Sequence, residues 1–168
     1  MGGYDRERGS TVNARVVNNT LVDNDTLHTG SGEILLQFQV YDSQILNNVV
    51  VANDQAILLA NPYTENAGNV VDGNDWWVRG APPAAARWEW KTVTYKSFAA
   101  YRRGTGNDAH GRFADPRLGS GGQLLPGSPA IDAGIGTPLA GTTDLYGAPR
   151  RQGRAIDIGA VESRAAGR

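Results

Sequence analysis

Short runs of aliphatic and β-branched residues, broken by Asn, Asp and Gly, recur over the first 75 positions. VVNNTLVDN (16–24) and ILNNVVVAN (45–53) carry one pattern: Asn18, Asn19, Val22 and Asn24 fall on Asn47, Asn48, Val51 and Asn53, an offset of 29. AGNVVDGN (67–74) is a weaker third copy in which Asn69 follows Asn48 by 21. A second block, EILLQF (33–38), returns as AILLAN (56–61), with Ile34 and Ile57 separated by 23. The difference between the two offsets is accounted for by a loop, DTLHTGSG (25–32), present only in the first copy.

Repeats of 20 to 30 residues made of short strands predict a parallel β-solenoid, because no copy can bury its apolar side alone. Stacked copies bond strand to strand at ~4.8 Å and share an interior of Val, Ile and Leu. Asparagine suits the corners twice over. It tolerates a left-handed backbone, and its amide can bond to the amide above and below without charge repulsion. The expected stack is Asn19, Asn48 and Asn69.

The pattern divides the chain into an N-terminal arm (1–13), the repeats (14–75), a Trp-rich cap with a short helix (76–123) and a closing tail (124–168). All four Trp (76, 77, 88 and 90) fall in the cap around a Pro-rich bend. The helix is predicted within TVTYKSFAAYRRGTG, with Thr94 as N-cap, Tyr95, Phe98, Ala99 and Arg102 on neighbouring turns, and Gly104 as the stop. From 105 onward Gly, Pro and Asp dominate, so the tail is expected to be ordered by contacts with the repeats rather than by strands of its own.

Length and charge then narrow the function classes. The 168 residues make one domain's worth of chain, and the net charge of −1 gives no electrostatic case for nucleic acid. No apolar run approaches the ~20 residues of a membrane span, and MGGYDRERGS has no apolar secretory core. With no Cys there are no disulfides, thiolate metal sites or Cys nucleophiles; this also suits an exported bacterial protein.

Two segments carry a family resemblance. YKSFAAYRRGTGNDAHGRFADPRL (95–118) and LLPGSPAIDAG (124–134) with TTDLYGAPRRQGRAIDIGAVE (142–162) resemble the C-terminal end of right-handed parallel β-helix proteins of the pectate-lyase-like superfamily, the second being similar to a choice-of-anchor-type tail. The resemblance covers about 14–162. It implies an all-β fold: a short right-handed parallel β-helix with a C-terminal cap containing one short helix and an irregular Gly/Pro/Asp-rich tail. It also implies an exported, polysaccharide-associated protein, extracellular or on the cell surface. Within GSPAIDAG, Ser128-Pro129 sets an extended entry, Ala130 and Ile131 pack on the repeats, Asp132 accepts backbone N–H groups and Gly134 permits the turn. Asp144 and Asp157 repeat the device, with Arg150 and Arg154 as partners; a calcium site built from the three aspartates is the functional alternative to this capping.

Candidate chemistry is thin beside this architecture. A lyase needs a base for the proton α to a carboxylate and a cation to stabilise the charge, yet Lys91 and Lys96 both lie in the cap. Asp54, Asp72 and Asp75 are the weak metal candidates, with calcium the one cofactor they suggest. Glu33, Asp42, Asp23 and Asp25 lie on the repeats without a spacing that singles out a glycosidase pair. His110 falls in the family segment, where packing competes with catalysis. Tyr41, Tyr63, Trp76, Trp77 and His28 are the candidate carbohydrate-binding residues, although the Trp cluster equally reads as a plug for the end of the repeats. No catalytic residue is identified. Structural or carbohydrate-binding work is expected ahead of catalysis, the alternatives being a polysaccharide lyase or glycoside hydrolase, or a self-assembling surface protein. The first repeat has no capping helix before it. Three expectations follow: the chain is the C-terminal portion of a longer β-helix, MGGYDRERGS folds over the open edge, or the edge pairs with another copy as a closed dimer or small oligomer.

Overall fold

The computed structural model describes residues 1–163. Its strands are short: β1 (Thr11–Val12), β2 (Arg15–Val17), β3 (Thr20–Val22), β4 (Ile34–Leu35), β5 (Val40–Tyr41), β6 (Gln44–Leu46), β7 (Val49–Ala52), β8 (Ile57–Asn61), β9 (Val70–Asp72), β10 (Asp75–Val78), β11 (Arg87–Trp90) and β12 (Val93–Tyr95). The helix α1 (Phe98–Thr105) and a last strand, β13 (Arg112–Phe113), follow.

The expectation of a single right-handed parallel β-helix is corrected. The strands are distributed over four separate sheets, in the orders β1-β5, β13-β10-β7-β3, β12-β11-β8-β4 and β2-β6-β9. One sheet is mixed, because the chain turns back at Lys91, in the left-handed region at φ 57°, and lays β12 antiparallel on β11. Residues 114–163 add no named strand. Repetition in the sequence therefore registers strand pairing without building one uniform element.

The pairings place the repeats more closely than their lettering did. Val16 pairs with Ile45 and Leu21 with Val50, the offset of 29 read from the sequence. The next layer lies 26 residues on: Ile45 pairs with Val71 and Val50 with Trp76. Ile34 pairs with Leu59, not Ile57. Corners between strands fall at left-handed residues in matching places, with Asn18, Asn47 and Gly73 at one corner and Asn13, Asp42 and Gly68 at another. Asn, Asp and Gly are the residues that accept this backbone at least cost. A Cβ on Gly73 would also stand 2.7 Å from Asn47 Oδ1, so close approach requires glycine there.

The amide ladder exists with different members. Backbone N and Nδ2 of Asn19 donate to Asn48 Oδ1 (2.9 and 3.0 Å), and those of Asn48 donate to Asn74 Oδ1 (both 2.9 Å). Those of Asn74 donate to Asp108 Oδ1 (3.1 and 3.0 Å). Asn69 sits elsewhere, accepting from Ser43 N and donating to Val40 O.

One apolar cluster joins Leu36, Val40, Ile45, Val50, Leu58 and Val71 to Trp76, Trp88 and Tyr101. Trp88 stacks on Tyr101, with ring centroids 5.7 Å apart, and meets Trp76 edge-on at 6.4 Å. The helix begins later than predicted. Ser97 is its N-cap, accepting from Ala100 N, Gly106 closes it in the left-handed region, and Thr94 and Tyr95 belong to β12. A second cluster brings Leu124, Ala130 and Ile158 of the tail onto Val49 and Val51 of β7. The arm lies along 35–38: the Met1 ammonium donates to Leu35 O (2.7 Å), and Gln37 N donates to Met1 O (2.7 Å).

Candidate functional site

The aromatic candidates separate by burial. Trp76 has no exposed surface, and its Nε1 donates to Asp108 Oδ2 (3.1 Å), so it is a core residue and not a sugar platform. Trp77 is partly buried against Phe113, with centroids 5.4 Å apart. Tyr63 leans on Phe38 at 4.0 Å. Tyr41 is partly exposed at the end of β5. Trp76, Trp77, Tyr41 and Tyr63 line none of the cavities described below.

The metal candidates do not converge either. Asp54 Oδ1 faces His28 Nε2 at 3.3 Å on an exposed loop. Asp72 pairs with His110. Asp75 is fully buried on β10, neither carboxylate oxygen makes a hydrogen bond of good geometry among the described residues, and burial pushes its pKa up to about 8. Among the described residues no three His, Cys, Asp or Glu side chains form a set that could hold a metal ion. Of the carboxylates on the repeats, Asp25 is taken up by its own loop and by Gln55, whose Nε2 donates to its Oδ2 (2.9 Å). It accepts from Thr29 N and Oγ1 and from Ser31 N, and the Thr29 amide leads in holding its pKa far below the usual range. Glu33 accepts from Asn24, while burial raises its pKa.

The tail is wired through its acids. Asp144 Oδ1 accepts from Tyr146 N and Ala148 N, and its Oδ2 accepts from Glu162 N. Asp157 Oδ1 accepts from Asp132 N (2.7 Å), and Asp132 Oδ1 from Ala155 N (3.1 Å). These are turn-closing bonds, and they leave the aspartates without a shared focus for calcium. Arg150 pairs with Glu162 (3.4 Å) in a buried contact, and Arg154 reaches Asp132 at 3.9 Å. Burial leads in pushing the Glu162 pKa up to about 7. Gly134 serves packing instead of a left-handed turn, since a Cβ there would meet Ile156 Cγ1 at 2.7 Å.

Between the two arms of this network lies a cavity of about 550 Å³. Gln123, Asp132 and Ser163 line it with polar side chains, Glu162 lines it with its carboxylate turned to Asp157 N and Arg150, and Leu124, Pro126, Ile131 and Val161 supply apolar wall. A few convergent polar groups over an apolar surface suit a ligand with hydroxyls on one edge and C–H groups on its faces. Sequence reasoning found Asp132 but missed Gln123, Glu162 and Ser163; the signal available was AIDAG returning as AIDIGAVE, which brings two similar turns side by side.

A second arrangement lies near α1. His110 Nδ1 and Asp72 Oδ2 are 2.8 Å apart, and Asp72 Oδ1 accepts from the backbone N of His110 (2.8 Å) and of Gly73 (2.8 Å). The carboxylate is thus fixed by two amides while it orients the ring, and the imidazole is largely exposed. A shallow cavity of about 440 Å³ lined by Arg102, Arg103, Asn107 and Ala109 opens beside it. It shares no lining residue with the larger one.

No family model matches the chain, and no solved structure matches it. The chain is similar to the uncharacterized protein YwoF of Bacillus subtilis (strain 168), at 36% identity over 116 residues. That stretch is 69% of this chain and 24% of YwoF, so the chain spans about a quarter of the relative it matches.

Proposed function

We propose that the chain is a structural, carbohydrate-binding module of an exported polysaccharide-associated protein. The observation that carries this reading is the cavity of about 550 Å³ between the tail turns, lined by both polar and apolar residues. Both Glu162 oxygens accept from Asp157 N and one Asp132 oxygen accepts from Ala155 N, so these acids are engaged in holding the cavity's shape. That favours binding over acid–base work. Calorimetric titration with neutral oligosaccharides and with oligouronates tests it. Binding that is weakened by Gln123→Ala and abolished by filling the cavity with Ile131→Trp is the expected result. The reading fails if no saccharide binds at millimolar concentration.

The alternative, a polysaccharide lyase, draws on the His110–Asp72 pair at 2.8 Å with arginines alongside. In that reaction Nε2 takes the proton α to a uronate carboxylate, the C–H electron pair forms the double bond, and the glycosidic C–O bond breaks with water protonating the departing oxygen. Release of unsaturated uronate from an acidic polymer, lost in His110→Ala, distinguishes it from binding alone.

A further inference from the structure

The asparagine ladder has a direction and one unfinished end. In every rung the earlier residue gives its backbone N–H and its Nδ2 to the Oδ1 of the next: Asn19 to Asn48, Asn48 to Asn74, Asn74 to Asp108. Each inner amide also reaches back to a carbonyl of the layer before it, Asn48 to Val16 O (2.9 Å) and Asn74 to Ile45 O (3.0 Å). Asn19 cannot, and its Nδ2 turns instead to Val17 O within its own layer (3.2 Å).

The strands on either side of Asn19 are open in the same direction. Ala14 O and Asn18 N bond to the β6 side, and Asn19 O and Asp23 N to the β7 side. Period-two alternation therefore aims the backbone of Arg15, Val17, Thr20 and Val22 away from both partners. Among the described residues β2 pairs only with β6 and β3 only with β7. The first residue of the arm bonds to Leu35 and Gln37, away from this edge, and the tail meets β2 and β3 through side chains, Asn18 Nδ2 donating to Ala140 O and Thr20 Oγ1 accepting from Ala160 N. Val16 and Leu21 are only partly buried, whereas their paired neighbours Ile45 and Val50 have no exposed surface.

We infer that the edge of β2 and β3 docks a strand–Asn-Asn–strand segment of another polypeptide, parallel and in register, with Asn19 Oδ1 receiving its asparagine. Thr20 Oγ1 of this edge accepts from Ala160 N of the tail (3.1 Å), beside the cavity-lining Val161, but the docking needs no saccharide to act. Every strand pairing made by β2, β3, β6, β7 and β9 is parallel, which sets the direction of the guest. A second copy stacked head to tail is a poor guest, because the far end of the ladder is Asp108, whose side chain has no N–H and whose backbone N–H is already given to Val71 O (2.7 Å). A two-fold pairing of copies would reverse the strand direction. In YwoF the matched stretch is a quarter of a longer polypeptide, so additional chain accompanies it there.

The probe is a synthetic peptide of the Gln44–Asn53 sequence with terminal lysines, added to the full chain and followed by amide hydrogen exchange. Exchange at Arg15, Val17, Thr20 and Val22 should slow by roughly tenfold or more, with Val16 and Leu21 unchanged. The same peptide carrying Asn48→Asp should give no protection, and Val22→Pro in the protein, which removes an outward N–H, should weaken binding while the fold persists. Three results overturn the inference: no protection by the peptide at millimolar concentration, equal protection by both peptides, or protection that rises with protein concentration alone, which would assign the edge to a second copy.

Discussion

Asn47 and Ile135 exchange two hydrogen bonds across 88 positions of sequence, Nδ2 to Ile135 O at 2.9 Å and Ile135 N to Oδ1 at 2.8 Å. One corner asparagine thereby holds the middle of the tail, and Asn18 helps by donating to Ala140 O (2.9 Å). Asn47→Gly keeps the left-handed backbone and removes the clamp. It should cost about 1 to 2 kcal/mol, the net worth of two neutral hydrogen bonds, and speed proteolysis within 133–141. Unchanged melting and unchanged digestion would show that the tail docks without it.

Asn48→Leu should be more damaging. It strips donors from Val16 O and Asn74 Oδ1 and the acceptor from Asn19, in a residue with no exposed surface. Asn74 Oδ1 keeps the backbone N–H of residue 48, so the main loss is the acceptor of Asn19 N, and a buried group left unpaired costs about 1 to 3 kcal/mol. Thermal melts against Gln44→Leu, a partly exposed neighbour, measure the difference; equal midpoints would remove the ladder from the stability argument.

The ladder shows what the sequence could and could not reveal. The offset of 29 was legible because two copies share the letters Asn-Asn. The next rung was not, since Asn69 and Asn74 both offer an asparagine and only strand register chooses Asn74. Asp108 was hidden further, inside a segment that reads as a loop after a helix. The single helix inferred from repetition is overturned by the division of its strands among four sheets, and the antiparallel β11–β12 pairing falls beyond the repeats, in the predicted cap, where Lys91 takes the left-handed backbone with no glycine to announce it. The cavity was invisible because its walls come from turns about thirty residues apart, brought together by acids that look like ordinary turn residues.

Asp75 gives a pH test with a definite sign. Its folded pKa, raised by burial to about 8, lies above the ordinary value of 3.8. Between these values the unfolded chain releases the proton and the folded chain keeps it, so stability falls as pH rises through the window. Asp75→Asn removes the titration. The variant should match the parent near pH 4 and exceed it by up to a few kcal/mol near pH 8, since each pH unit crossed between the two values costs the parent about 1.4 kcal/mol. Urea midpoints at the two pH values decide; the same difference at both would mean that Asp75 ionises normally.

Removing residues 124 onward uncovers Val49 and Val51, now packed under Leu124, Ala130 and Ile158. The expected outcome is aggregation or strong binding of an apolar dye. A soluble truncation with cooperative melting would make the tail an appendage.

Asp108 differs from an asparagine by one atom, an oxygen where a nitrogen would stand, and that atom carries a message along the chain. An amide both receives and gives, so it relays the ladder; a carboxylate receives only. Here the second oxygen is spent on Trp76 Nε1, and the relay ends at the aromatic core. The molecule is thereby polar in the sense that a sentence is: it has a place where more can be prefixed, at Asn19, and a full stop. A point change from Asp to Asn at 108 alters that punctuation while leaving the backbone spelling intact.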